Sequence, residues 1–231
     1  MGIPDNGEIW HMLDQRFGIP PTLIEFTTLH SRDLSAYNVI ILANGSPTEP
    51  LSPAALPKLK EWVENGGTLI TTGSAYKLTN KAKITDFKTL SQGKKKEKVE
   101  GNAHIEYKPY HNTAKAKSGI EGVIFNCHLD ITSPLGYGYE NPNVAIMKNG
   151  TTVMDFSQIK GSSPMQYTKQ PYLSGCVSLE NIKRISNAPA SIVSGCGKGN
   201  VIWFADDLNY RSYWFGGTKI FMNAIYFGQL Y

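Results

Sequence analysis

The stretch from residue 38 to residue 75 restricts the fold more than any other. NVIILAN (38–44) is a continuous apolar run of strand length, the pattern of a strand covered on both faces. A helix follows. Ser52-Pro53 can open it, Pro57 delays it by up to a turn, and Leu59, Trp62 and Val63 recur at helical spacing. It ends at Asn65-Gly66-Gly67, where glycine supplies the C-terminal cap. TLITT (68–72) is the next strand, followed at once by Gly73-Ser74-Ala75 and a short helical stretch. Strand, helix, strand with tight glycine-rich joints is a βαβ unit, and such a unit requires a parallel sheet. The expectation is therefore an α/β fold.

One feature is out of order. Residues 7–17 place Ile9, Met12, Leu13 and Phe17 at helical spacing, with Asn6 as the expected N-cap, so the chain opens on a helix. Doubly wound folds open instead on a buried central strand. After the GIPP break, TLIEF (22–26) reads as a short strand. Beyond residue 119 the pattern turns β-rich. GVIFNC (122–127) is a strand, 144–156 a hairpin turning at Asn149-Gly150, and YLSGCVS (172–178) another strand. LENIKRI (179–185) is a short helix. Residues 190–195 and 200–206 form a second hairpin around Cys196-Gly197-Lys198-Gly199, and Thr218 to Phe227 a closing apolar helix.

Length and charge narrow the function. A chain of 231 residues suits one large domain, or one domain with a sizeable insertion, and is long enough to bury a core. Its net charge of +4 belongs to residues 94–117, which hold seven lysines and three glutamates; the remainder has sixteen basic and sixteen acidic residues. A lysine run without arginine reads as a solvated loop, so residues 80–119 are expected to be an insertion, and no nucleic-acid partner is expected. No apolar run approaches the length of a membrane span, and no signal-peptide pattern opens the chain. Cys127, Cys176 and Cys196 fit no metal knuckle; a Cys176–Cys196 bridge is possible only in an exported protein.

Four places can carry chemistry. The turn at Gly73-Ser74-Ala75 follows a buried strand, as a nucleophile elbow does, so Ser74 is a candidate nucleophile; small residues that simply fit a tight turn explain it too. His11 and Asp14 share a helix face but show no third metal ligand. Cys127 and His128 are neighbours on a strand and point to opposite faces. Asp206, Asp207, Asn209 and Arg211 follow the last strand, at the sheet edge where α/β folds bind ligands; residues that cap the following segment and satisfy one another explain them equally. Gly45-Ser46 opens on that edge as well. A ligand pocket formed by Gly45, Ser74, Asp206, Asp207 and Arg211 is the resulting expectation, with no metal in this chain.

The phrases YNVIILANGS and WVENGGTLITTGSA resemble the core of class I glutamine amidotransferase-like domains. GEIWHMLD, LDITSPLGYGY, YLSGCVSLENI and FADDLNYRSYWFGGTKIFMNAIYFG are similar to the amidotransferase-like domain that follows the catalytic domain of bacterial carboxypeptidase A-type zinc peptidases. The resemblance spans nearly the whole chain, the lysine-rich segment least. It implies one flavodoxin-like domain over 1–231: a mostly parallel sheet with helices on both faces, plus β-rich additions. It also implies that a first strand is missing, its place taken by a rearranged segment or a second chain.

Departures from that family decide the expected activity. An active amidotransferase has a cysteine where this chain reads Gly73-Ser74, and a His-Pro-Glu stretch where it reads Ala205-Asp206-Asp207. The zinc-peptidase motif is absent as well, and Ser133 stands where relatives often carry a histidine. The implied function is a non-catalytic accessory or ligand-binding domain of a periplasmic or secreted zinc metallocarboxypeptidase, its signal peptide upstream. Zinc belongs to the parent peptidase domain, and no cofactor to this chain. The implied partners are that peptidase domain and a peptide or cell-wall ligand, with a homodimer possible through the incomplete sheet and no membrane contact. The alternative is a small-molecule hydrolase using Ser74.

Overall fold

Neighbouring residues on a strand face opposite ways, and that alternation divides the core of this protein in two. The computed structural model describes residues 4–45, 52–90, 119–155 and 161–231, so the lysine run and Ser46 lie outside the described residues. In chain order the elements are α1 (Pro4–Trp10), β1 (Val39–Leu42), α2 (Ala55–Glu64), β2 (Thr68–Thr72), α3 (Tyr76–Lys81) and β3 (Lys88–Thr89). Then come β4 (Val123–Leu129), β5 (Asn143–Lys148), β6 (Met154–Asp155), β7 (Met165–Ser174), α4 (Leu179–Ile185), β8 (Ser191–Cys196), β9 (Gly199–Phe204) and α5 (Thr218–Phe227).

The main sheet has the order β1-β2-β9-β8; the first three strands are parallel and β8 returns antiparallel to β9. Ile41, Ile70 and Ile202 form one cross-strand row, and Ile40, Leu69 and Val201 the next. The first row packs with Met12 and Leu13 of the N-terminal helical segment, with Ile220 and Phe221 of α5, and with Phe125 and Tyr167 of a second sheet. The second row packs under Leu59, Trp62 and Val63 of α2 and Leu78 of α3. Helices thus cover both faces, as expected. The second sheet, β5-β4-β7, is antiparallel throughout and supplies the β-rich addition.

The βαβ unit, the hairpin β8–β9, α4 and the closing helix fall where the sequence places them. Ser178 caps α4 by accepting from the Asn181 N–H. Other expectations need correction. TLIEF is not a strand: Phe26–Ser31 is a 3₁₀ turn, held by Thr28 and Ser31 hydroxyls donating to the Glu25 and Thr28 carbonyls. Local hydroxyl-to-backbone bonds outcompete a ladder there, and no described strand lies beyond β1 to pair with. β1 is consequently an edge strand, half-buried at Val39 to Ile41 rather than covered throughout. Asn6 lies inside α1 instead of capping it, and the helix continues as a π turn over His11–Arg16.

The expected hairpin at Asn149-Gly150 does not form. β5 pairs with β4, while β6 crosses to pair with β3. β7 begins at Met165, upstream of the expected 172, because its buried Met165 and Tyr167 alternate with polar residues. Residues 80–90, placed with the insertion, instead send Ala82, Ile84 and Phe87 into the core. Phe87 is buried and stacks on Trp203 at 5.0 Å, with Tyr76 on the same indole at 4.4 Å. The three cysteines are free. No helix among the described residues is long and apolar enough to cross a membrane.

Candidate functional site

β2 ends at Thr72, and the chain must turn at once to start α3. The residue at the bend is Gly73, with φ +51°, a left-handed conformation that favours glycine. A Cβ there would overlap the Asn44 side-chain amide. Asn44, just past β1, fixes the whole turn. Its Oδ1 accepts from the Ser74 N–H at 2.8 Å and from the Ser74 hydroxyl at 2.9 Å. Its own N–H donates to Thr72 Oγ1 at 2.8 Å, and the Gly45 N–H donates to Ser74 Oγ at 3.2 Å.

Gly45 and Ser74 therefore meet, as expected, but the hydroxyl is held by an amide and not by a base. Among the described histidines, His11, His30 and His128 are all exposed, and His30 bonds the Thr27 carbonyl. Cys127 is buried and its thiol is pushed well up by that burial, while His128 on the same strand faces out. Neither completes a nucleophile–base pair with Ser74.

The remaining expected pocket residues do not converge. Asp206 is buried and unavailable to a ligand. Its Oδ1 accepts from Lys148 Nζ at 2.6 Å, and its Oδ2 accepts the Tyr167 hydroxyl. Lys148, itself buried, donates also to the Thr152 carbonyl at 2.7 Å and to Tyr167 at 3.3 Å. This network ties β5 and β7 of the second sheet to the end of β9 in the first. Burial comes first, then the Asp206 charge, in driving the Tyr167 phenol far above its ordinary range.

Asp207 turns elsewhere. Its carboxylate joins those of Asp5 and Glu8, with oxygens all within 4.8 Å of one another. Burial first, then a hydrogen bond and the charge of Glu8, and then the charge of Asp5, raise Asp207 to about 9; the Asn209 N–H opposes them. Asp5 is raised too, by burial and by Glu8, against a hydrogen bond from the Asn44 side chain. Asn44 thereby links the Ser74 turn to the acidic cluster. Arg211 takes no part: it is exposed, and its guanidinium lies 5.2 Å from the Tyr210 ring centre. Arg211 and Ser212 both hold positive φ, 48° and 57°, strain that the surrounding loop must sustain. That loop exposes Tyr213 and Phe215, the latter under the Arg16 guanidinium at 4.2 Å.

Sequence reasoning missed Asn44, Asp5 and Glu8. Asn44 was legible as the one polar residue closing an apolar strand at the ligand edge. Asp5 and Glu8 stand three apart, on one helix face, the same spacing that singled out His11 and Asp14 further along. The structure leaves His11 exposed and Asp14 hydrogen-bonded to Gln15.

No family model matches the chain, and no curated protein matches it in sequence. Solved structures do. A structure described as a ThuA-like protein from Parabacteroides merdae superposes with a TM-score of 0.59 at 11% identity, covering 97% of this chain and 84% of that one. PurLQS from Thermotoga maritima gives 0.56 at 15%, covering 94% and 90%. A structure described as a GMP synthase protein from Thermoplasma acidophilum gives 0.53 at 8%, covering 95% and 86%. At such identities the likeness concerns the fold alone, and that fold is the class I glutamine amidotransferase-like one.

Proposed function

We propose that this amidotransferase-like domain is a non-catalytic accessory or ligand-binding domain, working beside the peptidase domain of a periplasmic or secreted zinc metallocarboxypeptidase. One observation carries the non-catalytic half. The bend where a nucleophile would project is Gly73, and the Asn44 amide fills the space its side chain would take. Covalent catalysis needs an activated side chain with a base in hydrogen-bond reach. Ser74, one residue on, spends its hydroxyl on Asn44 Oδ1 and on the Gly45 N–H. The peptidase association is supported by the ordered phrases from GEIWHMLD to FADDLNYRSYWFGG.

The surface offered to a ligand is the loop after β9, where Arg211, Tyr213 and Phe215 are exposed. Rigid aromatic faces with a cationic fork suit a peptide or a cell-wall fragment. The test has two arms. Incubated alone, the chain should release no ammonia from glutamine and no C-terminal residue from a peptide, with or without zinc. Added to the zinc-loaded peptidase domain of its parent protein, it should bind. Turnover by the isolated chain would overturn the non-catalytic reading; failure to bind the peptidase domain would overturn the association.

A further inference from the structure

We propose that Asp5, Glu8 and Asp207 form a binding site for a divalent, oxygen-preferring cation, calcium foremost, which clamps the N-terminal helix to the loop after β9. The expectation from sequence was no metal in this chain; three convergent carboxylates point the other way. Their oxygens lie within 4.8 Å of one another. Oxygens gathered within 4.8 Å fall inside the roughly 4.6–5.2 Å that opposite ligands of one calcium ion span, and calcium's flexible coordination accepts an irregular carboxylate set where magnesium demands a near-ideal octahedron. Carboxylates without thiolate or imidazole also select hard cations over zinc or copper.

The cluster lacks its own counter-charge. Among the described residues, no Lys, Arg or His forms an ion pair with any of the three; the ion pairs lie at Lys60–Glu64, Lys88–Asp86 and Lys148–Asp206. A second observation concerns Glu8 itself. It is only 9% exposed, yet its Oε2 is buried with no donor from outside the cluster, and Asp207 Oδ2 is in the same condition. A buried carboxylate oxygen without a partner costs far more than an exposed one, unless a cation takes it. Asn209, whose N–H donates to Asp207, is 1% exposed and leaves both polar atoms of its amide unpartnered as well.

The consequence is architectural. Asp5 and Glu8 share a face of α1, Asp207 follows β9, and Asn44 at the end of β1 bonds Asp5. An ion here would lock α1 onto the edge that carries the Ser74 turn. The site does not depend on the accessory role proposed above, since its readout is binding and not activity.

Calorimetric titration of the full chain, stripped with chelator, against calcium chloride tests it, with magnesium chloride in parallel. One saturable calcium site per chain is expected, with a rise in melting temperature. Asp207→Asn and Glu8→Gln should each weaken calcium by at least about tenfold. Asp130→Asn, a change to an exposed carboxylate elsewhere, should leave it unaltered. No saturable calcium binding by the wild-type chain overturns the proposal, even if a variant fails to fold. Binding that survives both substitutions overturns it too, as does magnesium binding tighter than calcium.

Discussion

Asp206 and Asp207 are neighbours in sequence and opposites in environment. Asp206 is buried against Lys148 and Tyr167, with both oxygens engaged by donors. Asp207, crowded by Glu8 and Asp5, has one oxygen buried without a donor from outside that cluster. The difference separates two uses of a carboxylate at the end of a central strand. The first fastens two sheets, because a charge inside the protein is tolerated only when paired and fully hydrogen-bonded. The second gathers carboxylates that repel one another, so that Asp207 holds its proton up to about 9, and a proton or a cation is what relieves the crowding. Reading the pair as one ligand-binding patch conflated them.

The sharpest way to break the comparison is to remove one partner of the fastened pair. Lys148→Met leaves Asp206 buried and uncompensated, and Asp206→Asn does the same to Lys148. Each should cost about 3–5 kcal/mol in denaturant unfolding. Replacing both residues together, as Lys148→Met with Asp206→Leu, should recover much of that loss. If either single change proves neutral, the network does not hold the two sheets.

Next in size is the bend. Gly73→Ser restores a side chain where a nucleophile would stand, but the new Cβ meets the Asn44 amide and φ +51° disfavours it. A loss of about 1–3 kcal/mol is expected. Combining it with Asn44→Gly should lessen the loss, because the steric part of the cost disappears. An additive double variant would show that Asn44 does not shape the turn.

How much of this was legible in the sequence follows from which interactions are local. The βαβ unit was legible because its apolar runs, glycine stop and turn are written within one 38-residue span. The β8–β9 hairpin, turning at Gly197 with φ +63°, was legible for the same reason. The β4–β5–β7 sheet was only half legible. Lys148 is wholly buried, and its burial makes sense only through Asp206, 58 residues away. Likewise a β-like composition at 22–26 gave no sign that the segment lacks a neighbouring strand. The acidic cluster joins residue 5 to residue 207, a pairing that no local pattern encodes.

Ser74→Ala should be smaller still. It removes one donor and one acceptor in a half-buried turn, a loss of about 0.5–1.5 kcal/mol. The same serine should resist a fluorophosphonate probe under conditions that label an active serine hydrolase. Labelling would turn the structural clip back into a nucleophile.

The smallest expected effect closes the comparison. In chelator, Asp207→Asn keeps the uncharged hydrogen-bonding shape that Asp207, raised to about 9, already has near neutral pH, so it should cost less than about 1 kcal/mol. Asp206→Asn, one residue earlier and the same chemical change, should cost several times more. The contrast isolates environment, because backbone position, side-chain length and hydrogen-bonding shape are shared. With calcium present the two should converge: the wild-type chain gains stability from the ion and Asp207→Asn forfeits that gain. Equal costs in chelator would mean that the Asp5–Glu8–Asp207 cluster holds α1 in place without an ion. Unequal costs that calcium does not narrow would mean that the proton on Asp207, and not an ion, relieves the cluster.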